Sequence, residues 1–156
     1  MAGLRPAPRL LVFTVTGALV LAGVAAFAAG GTAEATGPAV VRLTDVQTNL
    51  TEFGPDGVGG GDIARLRLYG SKSTTQPIGH AVLTCMDVGL GEQTCSGSYV
   101  LPRGTLETSG LLRKRLFYTQ AIVGGTGLFD NARGTLTVTA KSVTPRREVL
   151  LFRLTG

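Results

Sequence analysis

The chain has 156 residues and a formal charge of +5; 44% of it is hydrophobic, 16% charged and 6% aromatic, with 23 glycines and no tryptophan. Few charges and ample apolar content let burial offset the entropy of ordering, which excludes a disordered chain and fits one domain. Glycine follows no fixed triplet, which excludes collagen, and two cysteines with one histidine cannot complete a four-ligand structural zinc centre, so no metal site is expected.

Arg5 and Arg9 precede an uncharged apolar run over residues 10–29, followed by small residues. This is the layout of an export signal. Ala33-Glu34-Ala35 satisfies the small-x-small rule for cleavage and Ala26-Phe27-Ala28 is a second acceptable cut, so processing is expected between Ala28 and Ala35. The run is long enough to span a bilayer, which makes an uncleaved anchor, and with it membrane attachment, the alternative. The small residues favour removal and a secreted, extracellular protein. Residues 1–35 are then a signal peptide and 36–156 the folded domain, a size that buries roughly two-thirds of its unfolded surface.

The mature chain reads as strands. Residues 63–69 alternate apolar and charged at period two through Ala64-Arg65-Leu66-Arg67-Leu68, the mark of a half-buried strand. With it come 40–53, 78–86, 94–101, 105–109, 116–123, 134–141 and 148–155. Most are bounded by Gly, Pro or Asp, as at Gly54-Pro55-Asp56-Gly57 and Pro102-Arg103-Gly104. No segment of the mature chain keeps a helical period. Eight short strands with short connections suit an antiparallel barrel or a sandwich, and an eight-stranded antiparallel β-barrel is favoured because closure removes edges that few of these strands are built to protect.

Cys85 and Cys95 flank a Gly-rich stretch suited to a hairpin connection, and in an exported protein they are expected to form a disulfide that staples it. A catalytic thiol is the alternative, and it would need the single His80 nearby. Gly124-Gly125-Thr126-Gly127 fails as a phosphate cradle, because no Gly-Lys-Ser/Thr ending follows and a Thr-rich strand stands where a helix should begin. It reads instead as a turn after a strand, with Phe129 available to plug a barrel end. Arg113-Lys114-Arg115 and Arg146-Arg147 read as solvated loop charges, since no aromatic stacking platform accompanies them, and no nucleic-acid partner is expected.

The run from Ala121 to Gly134, Gly-Gly-Thr-Gly-Leu-Phe-Asp-Asn-Ala-Arg-Gly at its core, resembles the Gly-Gly-Thr/Ser-Gly-x-Phe…Gly signature of the allene oxide cyclase and dirigent-like proteins. Gly61-Asp62, Ile78-Gly79 and Tyr99-Val100-Leu101-Pro102 support the likeness, which spans residues 40–156. The resemblance implies an eight-stranded barrel with a mostly apolar cavity, often trimeric, whose plant members steer a cyclisation or a radical coupling of small hydrophobic substrates. It implies a homotrimer here. It also maps Asp45, in Thr44-Asp45-Val46, onto the carboxylate that acts on a bound dirigent substrate, and Arg133 onto the Arg of the dirigent Ala-Arg-Gly. Thr44 stands where dirigent proteins carry His.

Strand parity makes its own statement about Asp45, which shares a face with Val41 and Leu43. If those two line an interior, Asp45 does too, with a raised pKa suited to general acid or base work. The alternative is a mouth residue paired with an Arg. Tyr69, Tyr99 and Tyr118 could each offer a hydroxyl to a ligand, or simply pack. Three functions follow: a secreted barrel that binds a hydrophobic small molecule, a cofactor-free isomerase or cyclase using Asp45 with Arg133 holding the ligand, or a structural barrel with a filled interior.

Overall fold

The computed structural model describes residues 38–71, 75–113 and 116–155. The expected signal peptide and its cleavage site lie outside the described residues. Eight strands follow in chain order: β1 (Val40–Phe53), β2 (Gly61–Gly70), β3 (Pro77–Gly89), β4 (Glu92–Leu101), β5 (Gly104–Arg113), β6 (Phe117–Gly125), β7 (Arg133–Val143) and β8 (Arg146–Thr155). Every strand pairs antiparallel with its chain neighbour, and β8 pairs with β1 to close the barrel. All eight expected strands are present. The largest difference is β5, which continues past Ser109 to Arg113 because Gly110, Leu111, Leu112 and Arg113 stay in register with β4.

Period-two alternation sets what faces inward. Asp62, Ala64, Leu66 and Leu68 of β2 are buried, while Arg65 and Arg67 between them are exposed. In β8 the buried set is Glu148, Leu150, Phe152 and Leu154. In β1 the inward residues are Leu43 and Asp45. A register shift between Gln47 and Asn49 then changes the parity, as a bulge does, so that Leu50 rather than Asn49 turns to the cavity, at its mouth, where it stays 46% exposed.

The two ends of the barrel differ. At one end the β6–β7 connection folds inward as a 3-10 turn, Gly127–Phe129, and Phe129 is buried there with Ala132 and Leu154. The turn is tied down by Leu128 N–H donating to the Arg103 carbonyl at 2.8 Å and Thr126 N–H donating to the Thr105 carbonyl at 2.9 Å. Gly134 follows with φ +136°, and a Cβ there would collide with the Arg153 carbonyl oxygen, so this position requires glycine. The Gly-rich segment is therefore a barrel plug.

The apolar core fills the plugged half around Leu68, Leu106, Leu136, Val138, Leu150 and Phe152, with the Tyr99 and Phe152 rings edge to face at 5.1 Å. A second, smaller cluster sits in the other half, where Cys85 and Cys95 pair directly across β3 and β4 and are joined by a disulfide packed against Leu112.

Candidate functional site

Away from the plug the barrel interior opens as a cavity of ≈ 70 Å³. Leu50, Ala64, Leu66, Leu83 and Leu112 and the Cys85–Cys95 disulfide form an apolar cup, and Tyr118, Arg146 and Glu148 form its polar wall. The volume is several times the roughly 10–15 Å³ one water needs and far below the roughly 300–1,000 Å³ of clefts that enclose a drug-sized molecule. One ring or one short arm of a ligand fits; the remainder would lie at the mouth.

The polar wall is an ordered network. Glu148 is buried, and its Oε1 accepts from Arg146 Nε at 2.9 Å and Nη2 at 2.7 Å, while its Oε2 accepts from the Tyr118 hydroxyl at 3.4 Å. Burial is the largest single influence on Arg146 and acts to lower its pKa, but the Glu148 charge and hydrogen bond, with Tyr118 and Asp45, together outweigh it and hold the guanidinium above its ordinary value. Behind Glu148 lies Asp45, 1% exposed, whose Oδ1 accepts from the Glu148 backbone N–H at 2.9 Å. Burial first, and the nearby Glu148 charge second, push the Asp45 carboxyl from 3.8 up to about 7; the Glu148 N–H and Arg146 pull the other way. A group with that value holds and releases a proton near neutral pH, as a general acid or base must.

A second tier completes the layer. The Tyr99 hydroxyl meets Thr108, and Thr108 Oγ1 donates to Gln120 Oε1 at 3.1 Å. Burial, then the Asp45 charge, raises the Tyr99 pKa; burial, then the Glu148 charge, raises that of Tyr118. Both phenols therefore stay protonated and act as hydrogen-bond donors. Asp45 Oδ2 and Gln120 Nε2 are buried without a hydrogen-bond partner, so this layer behind the cavity wall keeps unused polar capacity.

Of the expected site residues Tyr118 lines the cavity, while Asp45 and Tyr99 lie in the buried polar layer behind its wall. Tyr69 is buried beside a register shift between β2 and β3 and does not line the cavity either. Arg133 is not brought to Asp45. Asp45 pairs with Glu148 near one end of β8 and Arg133 with Thr155 at the other, about 23 Å of strand apart. Arg133 is exposed at the plugged end, with Nη1 donating to the Ala132 carbonyl at 2.8 Å. The motif that places it also fixes it there, because the plug must end before β7 begins. The cation that does reach the carboxylates is Arg146, read from the sequence as a loop charge. Glu148 and Gln120 carried a signal in their parity, with Leu150 and Phe152 in one strand and Ile122 in the other.

No family model and no curated protein matches the chain. Solved structures do. Pyocyanin demethylase is 25% identical with a TM-score of 0.62, the match covering 74% of this chain and 99% of that one. The pterocarpan synthase dirigent protein GePTS1 is 17% identical with a TM-score of 0.60, covering 74% and 84%. The Diels Alderase AbmU from Streptomyces koyangensis is 17% identical with a TM-score of 0.57, covering 73% and 64%. This chain shares their barrel fold. The dirigent side of the sequence resemblance thus has structural counterparts, and they stand beside cyclase barrels of the same architecture.

Proposed function

We propose that the barrel binds a small, mostly apolar molecule with one arm in the open-end cavity, and that Asp45 and Glu148 exchange a proton with it to steer an isomerisation or cyclisation. The observation that carries this is the Asp45 carboxyl, fully buried and lifted to about 7, directly behind the Glu148 carboxylate that forms the cavity wall. The apolar cup holds and orients the ligand by exclusion of water. Arg146 neutralises Glu148, and the Tyr118 hydroxyl offers a donor beside it. Asp45 is the proton-holding member of the layer and the Arg146-paired Glu148 side chain is the one that faces the ligand, two carboxyls of unlike environment.

The similar structures support a small-molecule reaction: their names are those of a demethylase acting on pyocyanin, a pterocarpan synthase and a Diels Alderase. The allene oxide cyclase side of the sequence resemblance belongs to the same proposal. Export belongs to it as well, supported by the leader-like N-terminus and by a buried disulfide of the kind oxidising compartments maintain. Native mass spectrometry of the purified protein tests the binding. The expected result is a co-purifying organic molecule that is lost from Glu148→Gln but retained by Arg133→Ala. A protein that carries nothing, and binds nothing from a panel of phenols, enones and polyenes, is instead a filled structural barrel.

A further inference from the structure

Around the open end, the β1–β2, β3–β4, β5–β6 and β7–β8 connections succeed one another in chain order, because the barrel is a closed meander. Each carries in its turn, or on the strand residue that enters it, one strongly exposed apolar side chain: Val58 (69% exposed), Leu90 (95%), Leu116 (75%) and, at the end of β7, Val143 (84%). No other large apolar residue among those described is as exposed. Turns are ordinarily polar, and a ring of apolar tips around one opening marks a surface that is covered in use.

Charge shows what covers it. Glu52, Asp56 and Asp87 lie on the β1–β2 and β3–β4 half of the rim, and Lys141, Arg146 and Arg147 on the β7–β8 side of the other half. We infer that two copies of this chain dock mouth to mouth through this rim. A two-fold axis lying across the opening, from the gap between β3–β4 and β5–β6 to the gap between β7–β8 and β1–β2, lays each acidic connection over a basic or apolar one. Glu52 and Asp56 then face Lys141 and Arg147 of the second copy, Val58 meets Val143, and Leu90 meets Leu116 and Phe117. One symmetry operation satisfies both the charge pattern and the apolar tips, as an isologous interface requires. An anionic lipid surface would attract the basic half and repel the acidic one.

Docking joins two cavities of ≈ 70 Å³ into a single chamber shut off from solvent. A ligand whose far arm protrudes from one mouth is then enclosed by the other. The inference stands on the rim alone and does not depend on the acid–base chemistry.

Sedimentation velocity of the purified protein tests it, with and without added phosphatidylserine vesicles. The expected result is an assembly whose mass halves, whatever contacts the barrel walls also make, when Glu52→Lys and Asp56→Lys are combined. Lys141→Glu with Arg147→Glu should halve it as well. Each pair weakens association about tenfold or more, and all four changes together restore it. These residues are exposed, so circular dichroism should show unchanged strands. An assembly that ignores either reversal, or a quadruple variant that stays dissociated, overturns the inference. So does a monomer, whether it stays free or binds the vesicles through Leu90 and Leu116, the latter making the rim a lipid-docking surface.

Discussion

Asp45 on β1 accepts a 2.9 Å hydrogen bond at Oδ1 from the backbone N–H of Glu148 on β8, 103 positions later in the chain. The bond lies on the seam that closes the barrel, where the two residues are register partners. It holds one carboxyl in place while the Glu148 side chain is drawn toward Arg146 and the cavity. Two acidic groups are thereby held close together inside a largely apolar enclosure, an arrangement that costs stability unless one of them keeps its proton.

That cost makes stability depend on pH. The Asp45 carboxyl is raised from 3.8 to about 7 on folding, so the native state holds a proton that the unfolded chain releases. Asp45 makes no differential contribution below about pH 4. Stability then falls as pH rises toward 7 and levels off above it, by as much as about 4 kcal/mol. Asp45→Asn keeps an oxygen to accept the Glu148 N–H and removes the ionisation. In urea titrations the variant should therefore gain on the wild-type protein steadily between pH 4 and 7.5, while losing turnover. Parallel pH profiles for the two proteins would show that Asp45 is not held protonated.

Glu148→Gln separates the charge of Glu148 from its shape. The Glu148 carboxylate is the second-largest influence raising Asp45, so removing it should lower the Asp45 titration midpoint from about 7. The carboxyl carbon resonance of Asp45, followed by NMR across pH, reads this directly. The stability change should be small, on the order of 1 kcal/mol, because the Arg146 side chain is 40% exposed and can solvate itself. A midpoint that does not move would uncouple the two carboxyls.

The barrel was legible because inward faces repeat at period two, most plainly in β2 and β8, where the pattern shows without knowing their partners. Asp45 could be placed inside on the same ground, from Val41 and Leu43 alone. Its surroundings could not, because Glu148 and Tyr99 reach it from β8 and β4, and no local rule gives the stagger of strands around a closed barrel. Arg133 shows the same limit from the other side. Its motif identifies the turn, but which end of the barrel that turn closes depends on the order and direction of all eight strands. The bulge between Gln47 and Asn49, which turns Leu50 into a cavity residue, has no glycine or proline to announce it.

The Cys85–Cys95 bridge joins register partners on adjacent strands and closes a short loop. Loop-closure entropy for a ring of that size gives about 3 kcal/mol. Unreduced protein should leave both positions unlabelled by a thiol reagent. Cys85→Ala with Cys95→Ala should unfold at a correspondingly lower urea concentration. It should also enlarge the cavity, since both residues line it, and so accept a bulkier ligand arm. Full stability in the double variant would remove the staple role.

Arg133 and Gly134 sit side by side in the motif, yet their substitutions should separate cleanly. Arg133→Ala removes an exposed side chain that donates to the neighbouring Ala132 carbonyl, at the end of the barrel away from the cavity. Ligand affinity should stay within about twofold and stability within about 0.5 kcal/mol. Gly134→Ala places a methyl group against the Arg153 carbonyl at φ +136°, where an L side chain is already strained. The β7–β8 ladder must shift to admit it, at about 2 kcal/mol or more. Because the damage lies at the plug, the surviving folded fraction should still bind ligand at normal affinity. Calorimetric binding and urea unfolding on both variants measure the two effects independently. If Arg133→Ala abolished binding, ligand would have to enter at the plugged end, and the cavity behind Tyr118 and Glu148 would not be the site.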